Sequence, residues 1–284
     1  MDNVWPIGAE LGEGPVWFGD ALWFVDIKAP AIHRFEPATG AKRSWKAPQQ
    51  VGFLFPARSG GFVAGLQSGL HRFDPERGTF DLICEVDADK PENRLNDGAV
   101  DPEGRLWFGT MSDDERERSG SFFCFDQGGL TRTHLTGIAI TNGPAISPDG
   151  RILYWVDTLR GTIEACDIAD DDALGPSRPF ARIDPKDGHP DGPAVDADGC
   201  IWISLFGGWA AWRFSPDGER IGQVRFPVAN ITKIAFGGSD LRTAYATTAK
   251  LHLKAEQREE QSEAGDLFAF GAGVAGLPCN LVNI

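Results

Sequence analysis

Apolar and polar positions alternate in short runs along the whole chain, and the runs recur. A turn containing glycine, then an aromatic or aliphatic strand, appears in FGDALWFVD (18–26), ARSGGFVAGL (57–66), DPEGRLWFGT (101–110), SPDGRILYWVD (147–157), DADGCIWISL (196–205) and GGSDLRTAYATT (237–248). Trp23, Phe62, Trp107, Tyr154, Trp202 and Tyr245 anchor the copies. Their spacing of roughly 40–50 residues is the length of a four-stranded blade. A second pattern interleaves with the first: IHRFEPATG (32–40), LHRFDPERG (70–78), FFCFDQGG (122–129), IEACDIADD (163–171), AWRFSPDGE (211–219) and LFAFGAGVAG (267–276). Alternation within IHRF and AWRF has the period of two that strands require. Only LKAEQREEQSEAG (253–265) looks helical; it is charged all round and predicts an exposed excursion.

Each repeat therefore predicts strand, turn, strand, loop, strand, turn, strand. Six repeats predict an all-β fold, a six-bladed β-propeller with four-stranded antiparallel blades, spanning 1–284 as a single domain. The ring must close, and the segment holding Val4 and Trp5 is expected to supply the outer strand of the sixth blade.

The first strand of each blade lines the central channel. These strands begin LGEGPVW (11–17), QVGFLFPA (50–57), LNDGAVD (95–101), TNGPAIS (141–147), PDGPAVD (190–196) and ITKIAFG (231–237). One register carries Glu13, Asn96 with Asp97, Asn142 and Asp191, three of them in an x-Gly-Pro frame. The second and sixth copies offer no acid there, only Gln50 or Gly52 and Lys233. Two carboxylates and an amide oxygen from different blades thus aim at one point, and like charges so gathered call for a cation or a proton. Oxygen donors without cysteine suit Ca²⁺, Mg²⁺ or Mn²⁺, with Zn²⁺ or Fe²⁺ also compatible. Single Asp, Asn and Gly residues are ordinary turn formers. It is the repetition that favours a shared site. The acids of the DPEG, SPDG and DADG turns fall at the far end of the inner strands and read as turn residues.

Composition narrows the classes. The net charge of −14 and the lack of a basic stripe argue against nucleic acid and against an anionic membrane surface. Five scattered cysteines without a CxxC predict free thiols in a reducing compartment. The first fifteen residues show neither a signal peptide nor a transmembrane span, so a cytoplasmic location is expected, with a monomer as the default.

LGEGPVW, NRLNDGAVDPEGRLWFGTM (93–111), TNGPAISPDGRILYWVDT (141–158) and PDGPAVDADGCIW (190–202), in this order, resemble the gluconolactonase, regucalcin and luciferin-regenerating-enzyme family over the whole chain. The resemblance implies Glu13, Asn142 and Asp191 as ligands of one divalent metal ion. It implies Arg94 and Asn96 as substrate contacts and Asp97 close to the metal. It places Asp114, one methylene shorter, where the family often has a substrate-contacting Glu. It implies a sugar lactonase acting on a gluconolactone, xylonolactone or arabinonolactone, with Asp191 as general base for the attacking water. Arg94 would also stabilise the developing oxyanion. No G-x-S-x-G elbow is present, which favours this route over an acyl-enzyme. Two alternatives share the fold: a metal-dependent esterase or organophosphate hydrolase, and a non-enzymatic metal-binding regulatory propeller. The Arg94-x-Asn96 pair favours the sugar. His189 reads as a plain loop residue, and His33, His71, His134 and His252, off the axial register, as structural.

Overall fold

The computed structural model describes residues 1–169 and 173–284; the end of the IEACDIADD copy, at 170 and 171, lies outside the described residues. The chain is built from β-strands and their turns. Four separate antiparallel sheets of four strands begin with the inner strands Gly12–Phe18, Val51–Pro56, Asn93–Val100 and Thr141–Ile146. The remaining strands form one eight-stranded sheet, in the order Asp2–Trp5, Leu267–Gly271, Thr243–Thr248, Ile231–Gly237, His189–Val195, Ile201–Phe206, Ala210–Phe214, Arg220–Arg225.

This corrects the expectation of six separate blades. The architecture is a β-propeller of four blades plus a curled eight-stranded sheet, because the fifth and sixth repeats share hydrogen bonding. The joint is a parallel pairing of Gly192 with Lys233. Gly192 permits it: a Cβ there would meet Lys233 Cβ, Cγ and Cδ at 2.7–2.8 Å. The backbones can approach only because that side chain is missing.

The six inner strands nevertheless touch their neighbours in a closed ring, with Gly12–Phe18 lying against both Val51–Pro56 and Ile231–Gly237. The N-terminal strand pairs antiparallel with Leu267–Gly271, Asn3 opposite Phe268 and Trp5 opposite Leu267. Trp5 packs edge-on against Phe24 at 5.5 Å between ring centroids. The Asn3 amide donates to Glu263 and Asp266 at 2.9 and 2.8 Å. The charged stretch at 253–265 contains one short helix, Ala255–Glu260, with no buried residue.

Apolar faces of adjacent units make the core. Trp23, Val25 and Ile32 of the first sheet pack with Leu54, Phe62 and Phe73 of the second; Tyr154, Val156 and Ile163 of the fourth pack with Ile201, Ile203 and Trp212. Burying such a side chain contributes about 1.5–3 kcal/mol. Two of the turn acids tie strands together inside single repeats. Asp101 Oδ2 accepts from Trp107 Nε1 at 2.7 Å, and Asp196 Oδ2 accepts from Trp202 Nε1 at 2.8 Å. Both carboxylates are fully buried and each also meets an arginine, Arg105 at 2.6 Å and Arg213 at 2.8 Å. The AVD-x-x-G-x-x-W frame therefore builds a clamp within its own repeat.

Every inner strand carries a pairing irregularity at the register of the polar residues: Glu13/Val16, Leu95/Gly98, Asn142/Ala145 and Pro190/Pro193 in the copies with a polar side chain there. The two other copies have theirs at Val51/Phe53 and Ile231/Lys233. A bulge of this kind breaks the in-out alternation and re-aims one side chain. Here it turns Glu13, Asn142 and Asp191 toward the ring axis.

Two outcomes are expected. Deleting residues 1–8 leaves Leu267–Gly271 without its outer partner and should lower Tm by roughly 10 °C, read by thermal melting. Asp196→Ala leaves the Trp202 N–H without its acceptor and frees Arg213 Nε, while Arg213 Nη2 keeps Asp198, and should cost roughly 2–3 kcal/mol in denaturant unfolding.

Candidate functional site

Glu13, Asn142 and Asp191 open onto one cavity of about 310 Å³, together with Arg94, Asn96, Thr158, Glu115, His189 and His252. Leu159, Phe206 and Leu251 supply apolar wall. A cavity of about 360 Å³ at the other end of the inner strands is lined by residues such as Pro15, Phe55, Pro144 and Pro193 and carries no carboxylate. The chemistry therefore belongs to the first.

The three axial acids share one local geometry. Glu13, Asp97 and Asp191 each accept from the N–H of the glycine that follows, at 2.9, 2.7 and 2.9 Å. One oxygen is fixed by the bulged backbone. Asp97 is held further: its other oxygen accepts from Gly143 N at 2.8 Å, and Lys233 Nζ lies 2.5 Å from Oδ1. Asp97 is therefore an ion-paired residue beside the cavity, and it is absent from the cavity's lining.

Glu13 and Asp191 have no such partner and are buried to 4% and 6% exposure. Desolvation, then the charge of Asp97, pushes Glu13 up to about 8 from an ordinary value of 4.5. Desolvation, then the charge of Glu13, holds Asp191 well above the usual carboxylate range. Lys233 opposes both shifts. Each carboxylate thus resists ionisation mainly because it is out of water, with the neighbouring acid adding to the effect and Lys233 only partly offsetting it.

A hydrogen-bonded chain sets the amides. Arg94 Nη1 donates to Asn96 Oδ1 at 2.5 Å; Asn96 Nδ2 donates to Thr141 O at 2.6 Å and to Asn142 Oδ1 at 3.2 Å. Asn142 Nδ2 donates to Thr158 Oγ1 at 2.9 Å, which donates to Pro190 O at 3.0 Å. Asn142 is thereby oriented with its oxygen toward Asn96 and its nitrogen away. Arg94, 2% exposed, also donates from Nε to Asp113 at 2.8 Å. Asp113 gathers Lys28 at 2.5 Å and Gln50 at 3.1 Å. The first and second repeats therefore support the arginine through a residue the repeat pattern does not single out.

Of the expected residues, Glu13, Asn142, Asp191, Arg94 and Asn96 come together on the cavity. Asp114 does not. Its Oδ1 accepts from Ser112 Oγ at 2.8 Å and from Arg116 N at 2.9 Å, capping the loop turn. Its neighbour Glu115 lines the cavity instead. His189 and His252, read as loop and structural residues, also line it. His33 and His71 are buried away from it, and burial pulls His33 down to about 4. Among the described residues no three His, Cys, Asp or Glu side chains gather as a metal cluster. The expected ligands on the cavity are two carboxylates, Glu13 and Asp191, and one amide, Asn142.

Residues 11–250 match the family described as "SMP-30/Gluconolactonase/LRE-like region". A 6-deoxy-6-sulfogluconolactonase of Pseudomonas putida is 32% identical over 271 residues, covering 94% of this chain and 92% of that one. A regucalcin of Xenopus laevis is 32% identical over 280 residues, covering 94% and 93%. The solved structure of a calcium-binding protein, regucalcin, from Agrobacterium tumefaciens superposes with a TM-score of 0.95 at 28% identity, covering 99% of this chain and 96% of that one. Matched along nearly its whole length, the chain belongs to the SMP-30/gluconolactonase/LRE-like family.

Proposed function

We propose that the protein is a lactonase that opens a sugar lactone, of the glucono-, xylono- or arabinono- type, to the aldonic acid, using one divalent cation. The observation that carries this reading is a pair of buried carboxylates, Glu13 and Asp191, sharing a cavity with the buried Arg94–Asn96 pair. The naming of one relative as a sulfogluconolactonase and of a structural neighbour as calcium-binding supports it.

The residues fit a hard cation. Glu13, Asn142 and Asp191 offer oxygen donors only, and the two carboxylates are driven toward protonation by burial and by nearby negative charge, which a positive ion would relieve. A cation held by these three would polarise the lactone carbonyl as a Lewis acid. The chain's own groups do the rest. Asp191 Oδ1 is fixed by Gly192 N, leaving Oδ2 to take the proton from the attacking water. Arg94 and Asn96, locked to one another and to Asp113, orient the ring hydroxyls and stabilise charge on the carbonyl oxygen. The new C–O bond forms from water, the ring C–O bond breaks, and the proton held on Asp191 passes to the departing ring oxygen.

The test is hydrolysis of glucono-, xylono- and arabinonolactone beside an aryl acetate, with chelator-stripped protein resupplied with Ca²⁺, Mg²⁺, Mn²⁺, Zn²⁺ or Fe²⁺ singly. Lactone turnover should return with metal, and Asp191→Asn should lower kcat by about 10²-fold or more. Full activity in stripped protein would remove the cation from the reading. Cation binding without lactone turnover under any metal would favour a calcium-binding protein without hydrolase activity, the reading that its regucalcin neighbour supports.

The carboxylates also predict a pH dependence of stability. An unfolded glutamate ionises near 4.5, but folded Glu13 near about 8. The folded state therefore binds more protons between these values, and stability is lost as pH rises through them. In chelator, Tm should fall from about pH 5 to about pH 8, and Glu13→Gln should flatten the fall. A divalent cation should restore Tm in the native sequence.

A further inference from the structure

The mouth of the cavity is crossed by a contact between loops that are distant in sequence. Glu115 follows the strand Leu106–Ser112, and His252 follows Thr243–Thr248. Their inner strands, Asn93–Val100 and Ile231–Gly237, stand three steps apart in either direction around the closed ring, on opposite sides of the axis. Yet Glu115 Oε2 and His252 Nε2 meet at 2.9 Å, and both residues line the cavity whose floor holds Glu13, Asn142 and Asp191.

Both loops are pinned for this meeting. Glu115 and His252 are in the left-handed region, at φ 62 and 64, which a residue with a Cβ occupies only when its surroundings hold it there. On one side Asp114 caps the turn and Glu115 N donates to Ser112 O, while Asp113 anchors the loop to Lys28, Gln50 and Arg94. On the other, Leu251 N donates to Glu10 O, Asn230 holds Leu251 O, and the His252 ring stands edge-on to Phe206. The side chains remain 25% and 58% exposed, as expected at an opening.

We propose that the Glu115–His252 pair is a latch across the cavity mouth that determines specificity by size, admitting small compact lactones and excluding those with a long ring substituent. A compact ring fits beneath the bridge. A long substituent has to leave through the mouth, where it can be accommodated only with the pair broken and held apart. In the cavity wall, Leu159, Phe206 and Leu251 offer apolar surface on which an alkyl chain would then rest. An exposed pair of this kind is worth at most about 1 kcal/mol, so the discrimination it adds is roughly five-fold, increased by the space the two side chains fill.

The probes rest on the lactonase reading, and a binding arm separates the two. For the native protein, Glu115→Ala, His252→Ala and Glu115→Gln, kcat/KM is measured on δ-gluconolactone and δ-dodecalactone. Calorimetry on the same proteins follows δ-valerolactam and a δ-lactam bearing a heptyl chain, which are not hydrolysed. Both alanine variants should raise the long-to-short ratio by about five-fold or more, whereas Glu115→Gln, which can still bond the imidazole, should stay within about two-fold. His252→Ala carries the test alone if Glu115→Ala does not fold. A ratio shift seen for the lactams in a protein without lactone turnover keeps the latch and removes the hydrolase reading. Lactone turnover with unchanged ratios in both alanine variants overturns the latch, and so does failure of every lactam to bind in a protein without lactone turnover.

Discussion

Burying Glu13 and Asp191 on one cavity is the constraint around which the rest of the molecule is arranged. Two carboxylates out of water, within reach of each other's charge and of Asp97, resist ionisation together. The fold must supply a compensating charge or a bound cation. It supplies part of the first through Lys233, which neutralises Asp97 directly and weakens the shift at its neighbours. The remaining deficit lies between Glu13 and Asp191. The same deficit makes a cation site physically reasonable and the metal-free form electrostatically uncomfortable.

Holding such a cluster needs a rigid frame, and the frame is repeated. One bulge per inner strand turns a side chain to the axis. A glycine next to the acid lets the backbone donate to it. Just past the third and fifth inner strands, a buried aspartate ties a tryptophan indole and an arginine of its own repeat together. On the fifth, Asp191 at one end lines the cavity while Asp196 just past the other end meets the protein's own Trp202. Their contrasting duties come from their partners, since the residue type is the same.

That division explains what could be read without coordinates. Glu13, Asn142 and Asp191 stand in matched x-Gly-Pro frames, so repetition alone brings them to one level of the ring. The bulge itself recurs in all six inner strands, with or without that frame. Glu115, His252 and Asp113 lie in loops that no other repeat copies, where one residue more or less decides which side chain faces inward. The family resemblance points to Asp114 at the cavity, yet its short side chain caps the turn and Glu115 takes the inward place. The sheet count escaped for a similar reason. Six repeats are visible, but the fusion of the last two depends on a single backbone pairing at Gly192 and Lys233, which no periodicity encodes.

The pairing of Asp2–Trp5 with Leu267–Gly271 also bears on how the chain is made. Asp2–Trp5 precedes every other strand described, and its partner Leu267–Gly271 follows them all. Until that partner emerges, Trp5 can rest on Phe24 of the first sheet but has no strand to pair with, and the ring stays open at one seam. Each sheet of four can assemble from local hairpins as it appears, but the circle is completed only once Leu267–Gly271 has emerged. Such long-range closure is slow compared with hairpin formation. Until then an unpaired strand edge is exposed at the seam, and it is in this interval that the nascent protein is most open to aggregation.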